Sequence, residues 1–333
     1  MAIQNKKRVI VTGGAGFIGS HLVDRLIAEG WHVIAIDNMA SGTAGNLSQH
    51  EREPRFELIE CDINDIQKSS AAYQGVDWVM HLAALADIVP SMERPEEYHQ
   101  ANVMGTFRVL ECARQAGVKR FVYSASSSCY GIPSIYPTPE TAAIRPQYPY
   151  ALTKALGEQT VLGWSRFYRF PALSLRFFNV YGPRARAGGT YGAVFKVFLA
   201  QKLKGLPFTI VGDGTQTRDF TFVTDIVEAI IRAAESPLVG EIMNVGTGNP
   251  RSVNELVKLL GGPVTYIPKR PGEPESTHAD ISKITHLLNW APNVTFEQGV
   301  KTMLDHIDYW AEAPAWTPQS IEKATKAWFK YLQ

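Results

Sequence analysis

A chain of 333 residues, 45% hydrophobic and 20% charged, has the apolar content for a sizeable core and an appended lobe, which excludes a fibre, a minimal binding module and a disordered chain. Its 33 Lys and Arg against 32 Asp and Glu leave a net charge of +1 without a basic stripe, so the expected partner is a small molecule and not nucleic acid. Three widely spaced cysteines, Cys61, Cys112 and Cys129, give neither a disulfide framework nor a metal-ligand spacing, and no apolar run approaches the ~18 residues of a membrane span; a soluble, cytoplasmic, metal-free protein is expected.

The first half alternates β-branched runs with amphipathic stretches, the order of a doubly wound parallel sheet of the Rossmann α/β type. Arg8–Thr12 reads as a strand buried on both faces, and the run Gly13-Gly14-Ala15-Gly16-Phe17-Ile18-Gly19 follows it directly. Residues 20–29 have helical spacing, with Leu22, Val23, Leu26 and Ile27 on one face. His32–Asp37 is the second strand, and further strands are predicted at 56–61, 77–82, 121–124 and 173–178, with helices at 97–116 and 150–168. After Asn179 glycine, proline and arginine cluster, marking a smaller lobe, while a buried run at 241–245 reads as a strand returning to the main sheet. The predicted organisation is therefore interleaved: a dinucleotide-binding domain over 1–179 with a returning strand near 241–247, and a substrate lobe over 180–333. The helical part of the tail 310–333, with Ile321, Ala324, Trp328 and Tyr331 three or four apart, reads as packing on the body or on a subunit partner.

The glycine run satisfies G-x-G-x-x-G from Gly14 and G-x-x-G-x-x-G from Gly13. Glycine there lets backbone N–H groups approach a pyrophosphate at the positive end of a helix, where a side chain would block it. Asp37 lies 18 residues beyond Gly19, close to the roughly 20 expected of a ribose-binding acid. A carboxylate there accepts from the ribose hydroxyls and repels a 2′-phosphate, which selects NAD over NADP. Asp62-Ile63, at the end of the third strand, offers adenine a carboxylate and an apolar edge, or forms a structural turn. Tyr150 and Lys154 stand four apart after Pro149, so the phenol and ammonium share a helical face. A phenol with an ordinary pKa near ~10 serves as a base near neutrality only beside positive charge. Lys154 and a nicotinamide cation would provide it, close to the serine-rich strand end Ser124-Ala125-Ser126-Ser127-Ser128.

Together with Asp37-Asn38, His81-Leu82-Ala83-Ala84 and Arg176-Phe177-Phe178-Asn179-Val180-Tyr181-Gly182, this ordered set resembles the extended short-chain dehydrogenase/reductases. More narrowly, it is similar to the nucleotide-sugar epimerases of the UDP-glucose 4-epimerase type, over about residues 8–305. The resemblance implies that Tyr150 exchanges the proton of the sugar 4-hydroxyl, that Lys154 lowers its pKa and binds the nicotinamide ribose, and that Ser126, five before Gly131, hydrogen-bonds the reacting oxygen. NAD is the implied cofactor. Its implied contacts are Gly13, Gly16, Phe17, Ile18, Gly19, Asp37, Asn38, Asp62, Ile63, Leu82, Ala83, Ala84, Asn102, Tyr150, Lys154 and Phe178. Residues 212–220 and 269–273 resemble the segments that set two arginines, Arg218 and Arg270, on a nucleotide diphosphate, where guanidinium forks suit phosphate oxygens. Asn179 maps to the same region. Thr277, seven beyond Arg270, maps to the position bordering the sugar's C2 substituent and is small enough to admit a 2-acetamido group. Relatives pair the helices corresponding to 97–116 and 150–168, so a homodimer is implied.

The implied reaction is a reversible oxidation: the C4 hydride moves to NAD, and the 4-keto sugar turns and takes it back on the other face. Similar 4,6-dehydratases place an acidic pair where this chain has Ser127-Ser128. The glucuronate decarboxylases place a Glu near that serine and an Arg after the lysine, where this chain has Ala155. Cys129 stands immediately before Tyr130, which suits a buried thiol and not the second base of a 3,5-epimerase. A 3,5-epimerase or 4-dehydrogenase on the same scaffold, or a non-catalytic NAD-binding protein, are the alternatives left open.

Overall fold

The computed structural model describes residues 7–188 and 191–332; residues 1–6, 189–190 and 333 of the predicted domains lie outside the described residues. The apolar runs of the first half form β1 (Arg8–Thr12), β2 (His32–Asp37), β3 (Phe56–Glu60), β4 (Trp78–His81), β5 (Arg120–Ser126) and β6 (Ala172–Phe177). The lobe contributes β7 (Asn179–Tyr181), β8 (Phe208–Val211), β9 (Thr217–Arg218) and β10 (Phe220–Phe222). The chain then returns through β11 (Ile242–Val245) before leaving for β12 (Arg251–Ser252) and β13 (Val264–Ile267). Seven strands make one parallel sheet in the order β11-β6-β5-β4-β1-β2-β3, so the strand order reverses between β4 and β1.

The helices are α1 (Phe17–Ala28), α2 (Ile88–Glu93), α3 (Pro95–His99), α4 (Thr106–Gln115), α5 (Pro149–Tyr168) and α6 (Val194–Leu203). They continue with α7 (Val223–Glu235), α8 (Val253–Leu260), α9 (Ser282–Leu288), α10 (Phe296–Asp305), α11 (Pro318–Ala324) and α12 (Lys326–Tyr331). One face of the sheet is covered by α1, α7 and α9 through Leu22, Leu26, Ile226, Ile230 and Ile284, and the other by α4 and α5 through Val109, Leu110 and Val161. Burial on both faces explains why these strands read as continuous apolar runs. The lobe has its own aromatic core, in which the rings of Tyr181 and Phe195 stack at 4.6 Å and those of Phe220 and Phe296 at 5.3 Å.

Two predicted helices change shape. The first begins at Phe17, not at residue 20, because Gly16 takes the extended N-cap conformation and the glycine loop is shorter than its motif suggests. The stretch 97–116 is interrupted by a π-turn over Gln100–Gly105. There the Asn102 side chain receives Leu85 N at 2.8 Å and donates to Leu85 O at 2.9 Å, tying the helix to the strand-end loop.

A buried ion pair pins α5 to the sheet. Arg176 of β6 meets Glu158 of α5, with Nη2 to Oε1 at 2.5 Å and Nε to Oε2 at 3.0 Å, and the Ser174 hydroxyl donates to the same carboxylate at 2.8 Å. Both side chains are almost fully buried. Arg176→Met would leave Glu158 without its counter-charge, so unfolding is expected to become easier by about 3–5 kcal/mol, read as a lower denaturant midpoint. A midpoint equal to that of the native protein would contradict this account.

Candidate active site

Beyond the carboxyl ends of the central strands, at the reversal between β4 and β1, lies a cleft of about 720 Å³. Its floor is the glycine loop. Gly13 has φ +71°, and a Cβ on it would stand 2.7 Å from Ala83 N; a Cβ on Gly19 would stand 2.0 Å from the Gly13 carbonyl oxygen. Only glycine allows the strand, the loop and the helix to approach this closely. The 12-residue α1 starts without a side-chain cap, which leaves its first-turn N–H groups available beside Gly13 and Gly16 for an anion. Phe17, Ile18, Leu82, Ala83 and Ala84 wall the same space.

Asp37 braces the loop: its Oδ2 accepts from Ala15 N at 3.0 Å and its Oδ1 from Met39 N at 2.9 Å. Burial raises its pKa, opposed by the backbone donors of Met39, Ala15 and Gly16. Asn38 Nδ2 donates to Asp62 Oδ2 at 2.8 Å, while Asp62 Oδ1 accepts from Asn64 N at 2.7 Å and caps the turn that begins at Ile63. His81 fixes the end of β4. Thr106 Oγ1 spends its proton on Asn102 O, so it accepts from His81 Nε2 at 2.9 Å and the Nδ1 of that ring accepts from Thr12 Oγ1 at 2.7 Å. Burial pushes the imidazole pKa down to about 3, which keeps the ring neutral as this pattern requires. The cradle, the acid at the end of β2 and the paired residues at the end of β3 together fit a dinucleotide.

The opposite wall is built by α5. Tyr148 takes the extended N-cap conformation and Pro149 opens the helix, which places Tyr150 in the first turn, where the helix dipole favours a phenolate. Lys154 follows one turn later, buried, its Nζ 4.5 Å from the centre of the Tyr123 ring. Burial lowers the Lys154 pKa to about 7, opposed by the charge of Glu158. Burial raises that of Tyr150, opposed by the neighbouring Ser126 hydroxyl, and the charge of Asp87 raises it further. Burial thus drives the two groups apart, the phenol upward and the ammonium downward, each toward its neutral form. Ser126 Oγ lies 2.8 Å from Ser128 Oγ, and both serines line the cleft with Tyr148 and Tyr150.

The lobe supplies the far end. Arg218 Nη2 donates to Glu273 Oε1 at 2.7 Å, and Arg270 Nη1 lies 3.6 Å from Glu273 Oε2, which sets the two guanidinium groups beside one carboxylate. Buried Asp219 organises this end by accepting from Thr247 N, Gly248 N and Ala279 N at 2.6–3.0 Å. Its own backbone N–H donates to Thr277 Oγ1 at 3.0 Å, and Thr277 Oγ1 donates to Asn179 Oδ1 at 2.7 Å.

Ser126, Tyr150, Lys154, Phe178, Asn179, Arg218, Arg270 and Thr277 all line the cleft with the glycine loop, Asp37, Asn38, Asp62 and Ile63. Asn102 does not. Its carboxamide is consumed by Leu85 and by Thr153 Oγ1 at 3.0 Å, so it acts as a brace behind the wall. Sequence reasoning missed Asp87, Ser128, Tyr148, Arg186, Tyr191, Lys196, Thr325 and Trp328, which also line it. Tyr148, two residues before Tyr150, and Ser128, two after Ser126, were the nearest to legible; the helical spacing of Trp328 pointed to packing of the tail and not to the cleft. Cys129 is buried and free, and burial pushes its thiol up to about 12.

The profile of the NAD dependent epimerase/dehydratase family matches residues 9–246. The chain is similar to a UDP-glucose 4-epimerase of Mycolicibacterium smegmatis, 37% identical over 88% of this chain and 96% of that one. It is also similar to UDP-glucuronic acid decarboxylase 4 of Arabidopsis thaliana, 35% identical over 89% of this chain and 68% of that one. Among solved structures, the UDP-glucuronic acid 4-epimerase of Bacillus cereus, in complex with UDP-glucuronic acid and NAD, superposes with a TM-score of 0.84 at 34% identity, over 90% of this chain and 99% of that one. With a glycine cradle, an acid at the end of β2 and Ser126, Tyr150 and Lys154 in one cleft, this chain belongs to the NAD-dependent epimerase/dehydratase family of extended short-chain dehydrogenase/reductase enzymes.

Proposed function

We propose that the protein is an NAD-dependent nucleotide-sugar 4-epimerase of the UDP-hexose type. The observation that carries this reading is the convergence of Ser126, Tyr150 and Lys154 on one cleft, with Tyr150 and Lys154 one turn apart on the same face of α5 and Arg218 and Arg270 at the far end. NAD, when bound, supplies a reversible acceptor for the hydride at the sugar's C4. Tyr150 holds and returns the 4-hydroxyl proton, and Ser126 orients that oxygen. Lys154, as a cation, makes the Tyr150 phenolate accessible, which counters the upward push of burial. Arg218 and Arg270 hold the diphosphate while the sugar turns, and the wall of Thr277 and Asn179 borders the sugar.

Neutral hydroxyls support epimerisation over its relatives' reactions. Ser127 and Ser128 stand where the similar dehydratases carry acids, and Ser128 is engaged with Ser126. Ala155 is buried and supplies no cation after Lys154. A homodimer through α4 and α5 belongs to the same reading, supported by exposed Leu152, Phe167 and Tyr168 on α5.

In a panel of nucleotide sugars followed by NMR, at least one is expected to be inverted at C4 without NADH building up, and Tyr150→Phe should slow that turnover by about 10²-fold or more while keeping the dinucleotide bound. Stoichiometric NADH release would identify a dehydrogenase instead, and native turnover in the variant would remove Tyr150 from the reaction.

Lys154→Ala removes a positive charge, so the phenol should ionise only at higher pH, moving the rising limb of the kcat profile upward by about 1 pH unit or more. An unmoved limb would show that the two groups are uncoupled.

Thr277→Tyr adds a ring beside the sugar and should suppress turnover of 2-acetamido substrates while sparing the matching hexose. Thr277→Val loses the hydroxyl that bonds Asn179 without adding bulk, and should slow both classes alike. Equal loss of both substrates in the tyrosine variant would refute a gatekeeping role.

A further inference from the structure

The tail that follows α10 does not trail away from the body; it folds back over the cleft. Thr317 caps α11 by accepting from Ser320 N, Pro318 opens that helix, and α12 packs against α2, whose first residues Ile88 and Val89 line the site. Trp328 of α12 is buried and itself lines the cleft, with its indole N–H donating to Pro271 O at 2.7 Å. The Arg270 guanidinium is held between two aromatic faces, 4.8 Å from the Tyr191 ring and 5.7 Å from the Trp328 ring, and it donates to the Tyr191 hydroxyl at 2.5 Å. On its other side the Trp328 ring lies 6.3 Å from Tyr148, which stacks on Tyr150 at 6.4 Å.

We propose that Trp328 is a substrate-positioning residue, and that the C-terminal segment 318–331 is the outer wall of the nucleotide-diphosphate end of the cleft. This rests on the reading above that Arg270 meets a diphosphate. An arginine side chain loses much rotamer freedom when it grips an anion, and one already sandwiched between rings has lost that freedom beforehand. Trp328 thereby acts through Arg270, and its bond to Pro271 fixes the backbone next to that arginine. The same ring continues the aromatic wall of Tyr148 toward Tyr150, so the segment joins the diphosphate end of the site to its reacting end.

The test is calorimetric titration of UDP, dTDP, GDP and CDP into the NAD-loaded protein, carried on with the tightest binder. Trp328→Ala is expected to weaken that binder about 10-fold, Trp328→Phe to retain most of the affinity, and Arg270→Ala to leave little for a second Trp328→Ala change to remove. NAD content should stay near native in Trp328→Ala, and both NAD content and the thermal midpoint should stay near native in Trp328→Phe. Native affinity in Trp328→Ala, losses that add fully in the double variant, or a parallel loss of NAD in Trp328→Ala would each overturn the proposal. If no nucleoside diphosphate binds the native protein, the proposal falls together with the reading beneath it. If one binds and Trp328→Ala weakens it while no sugar is epimerised, the positioning role stands and the epimerase reading alone falls.

Discussion

The close seating of α5 on the sheet is the constraint on which the rest of the site depends. Gly157 makes it possible, since a Cβ there would stand 2.3 Å from the Tyr123 hydroxyl and 3.1 Å from Asn102 O. The buried pair of Glu158 and Arg176 then fixes the depth of the helix. Seated this way, α5 carries Lys154 into an apolar environment above the Tyr123 ring and leaves Tyr150 at its first turn, lining the cleft with Ser126. The perturbed pKa values of both groups follow from that depth of burial, because a charge or a phenolate taken out of water is disfavoured until an opposite charge arrives. Glu158 thus has two consequences, holding the helix and keeping Lys154 protonatable.

The two ends of the cleft are joined through backbone and not only through shape. Asn179 opens β7 directly after β6, and its backbone N–H donates to Asp219 O at 3.0 Å. Asp219 is the buried hub of the loops that carry Thr277 and the residue following β11, so the sheet that seats the dinucleotide also sets the position of the lobe. A carboxylate with several backbone donors is fully satisfied, which lets it sit in the interior without a counter-charge. Lobe and sheet therefore meet at a hydrogen-bonded seam, with the arginines and the phenol lining one cleft.

The sheet was legible because doubly buried strands write themselves as unbroken apolar runs: Arg8–Thr12 and His32–Asp37 were read with the bounds the structure gives them. The glycine cradle and the Tyr150, Lys154 pair were legible because their chemistry depends on spacing within one element. The bracing role of Asn102 was not legible, because a polar residue near a motif looks alike in sequence whether or not its carboxamide is tied to a backbone loop, as it is here. Trp328 was legible as a packing residue of the tail but not as part of the cleft: its partners Arg270, Pro271 and Tyr148 are 57 or more residues away in the chain, and only the fold brings the tail to them. The helix break at Gln100–Gly105 arises in the same way, from tertiary bonds that override a good helical pattern.

The most direct test of the account uses a nucleotide hexose carrying deuterium at C4 of the sugar. If Tyr150 moves only the hydroxyl proton and the hydride returns to the carbon it left, the inverted product keeps the label at C4 and takes no solvent hydrogen at C3, C5 or C6. Loss of the C4 label to solvent, incorporation of solvent hydrogen at a neighbouring carbon, or release of carbon dioxide from a uronic acid substrate with no inversion would contradict it.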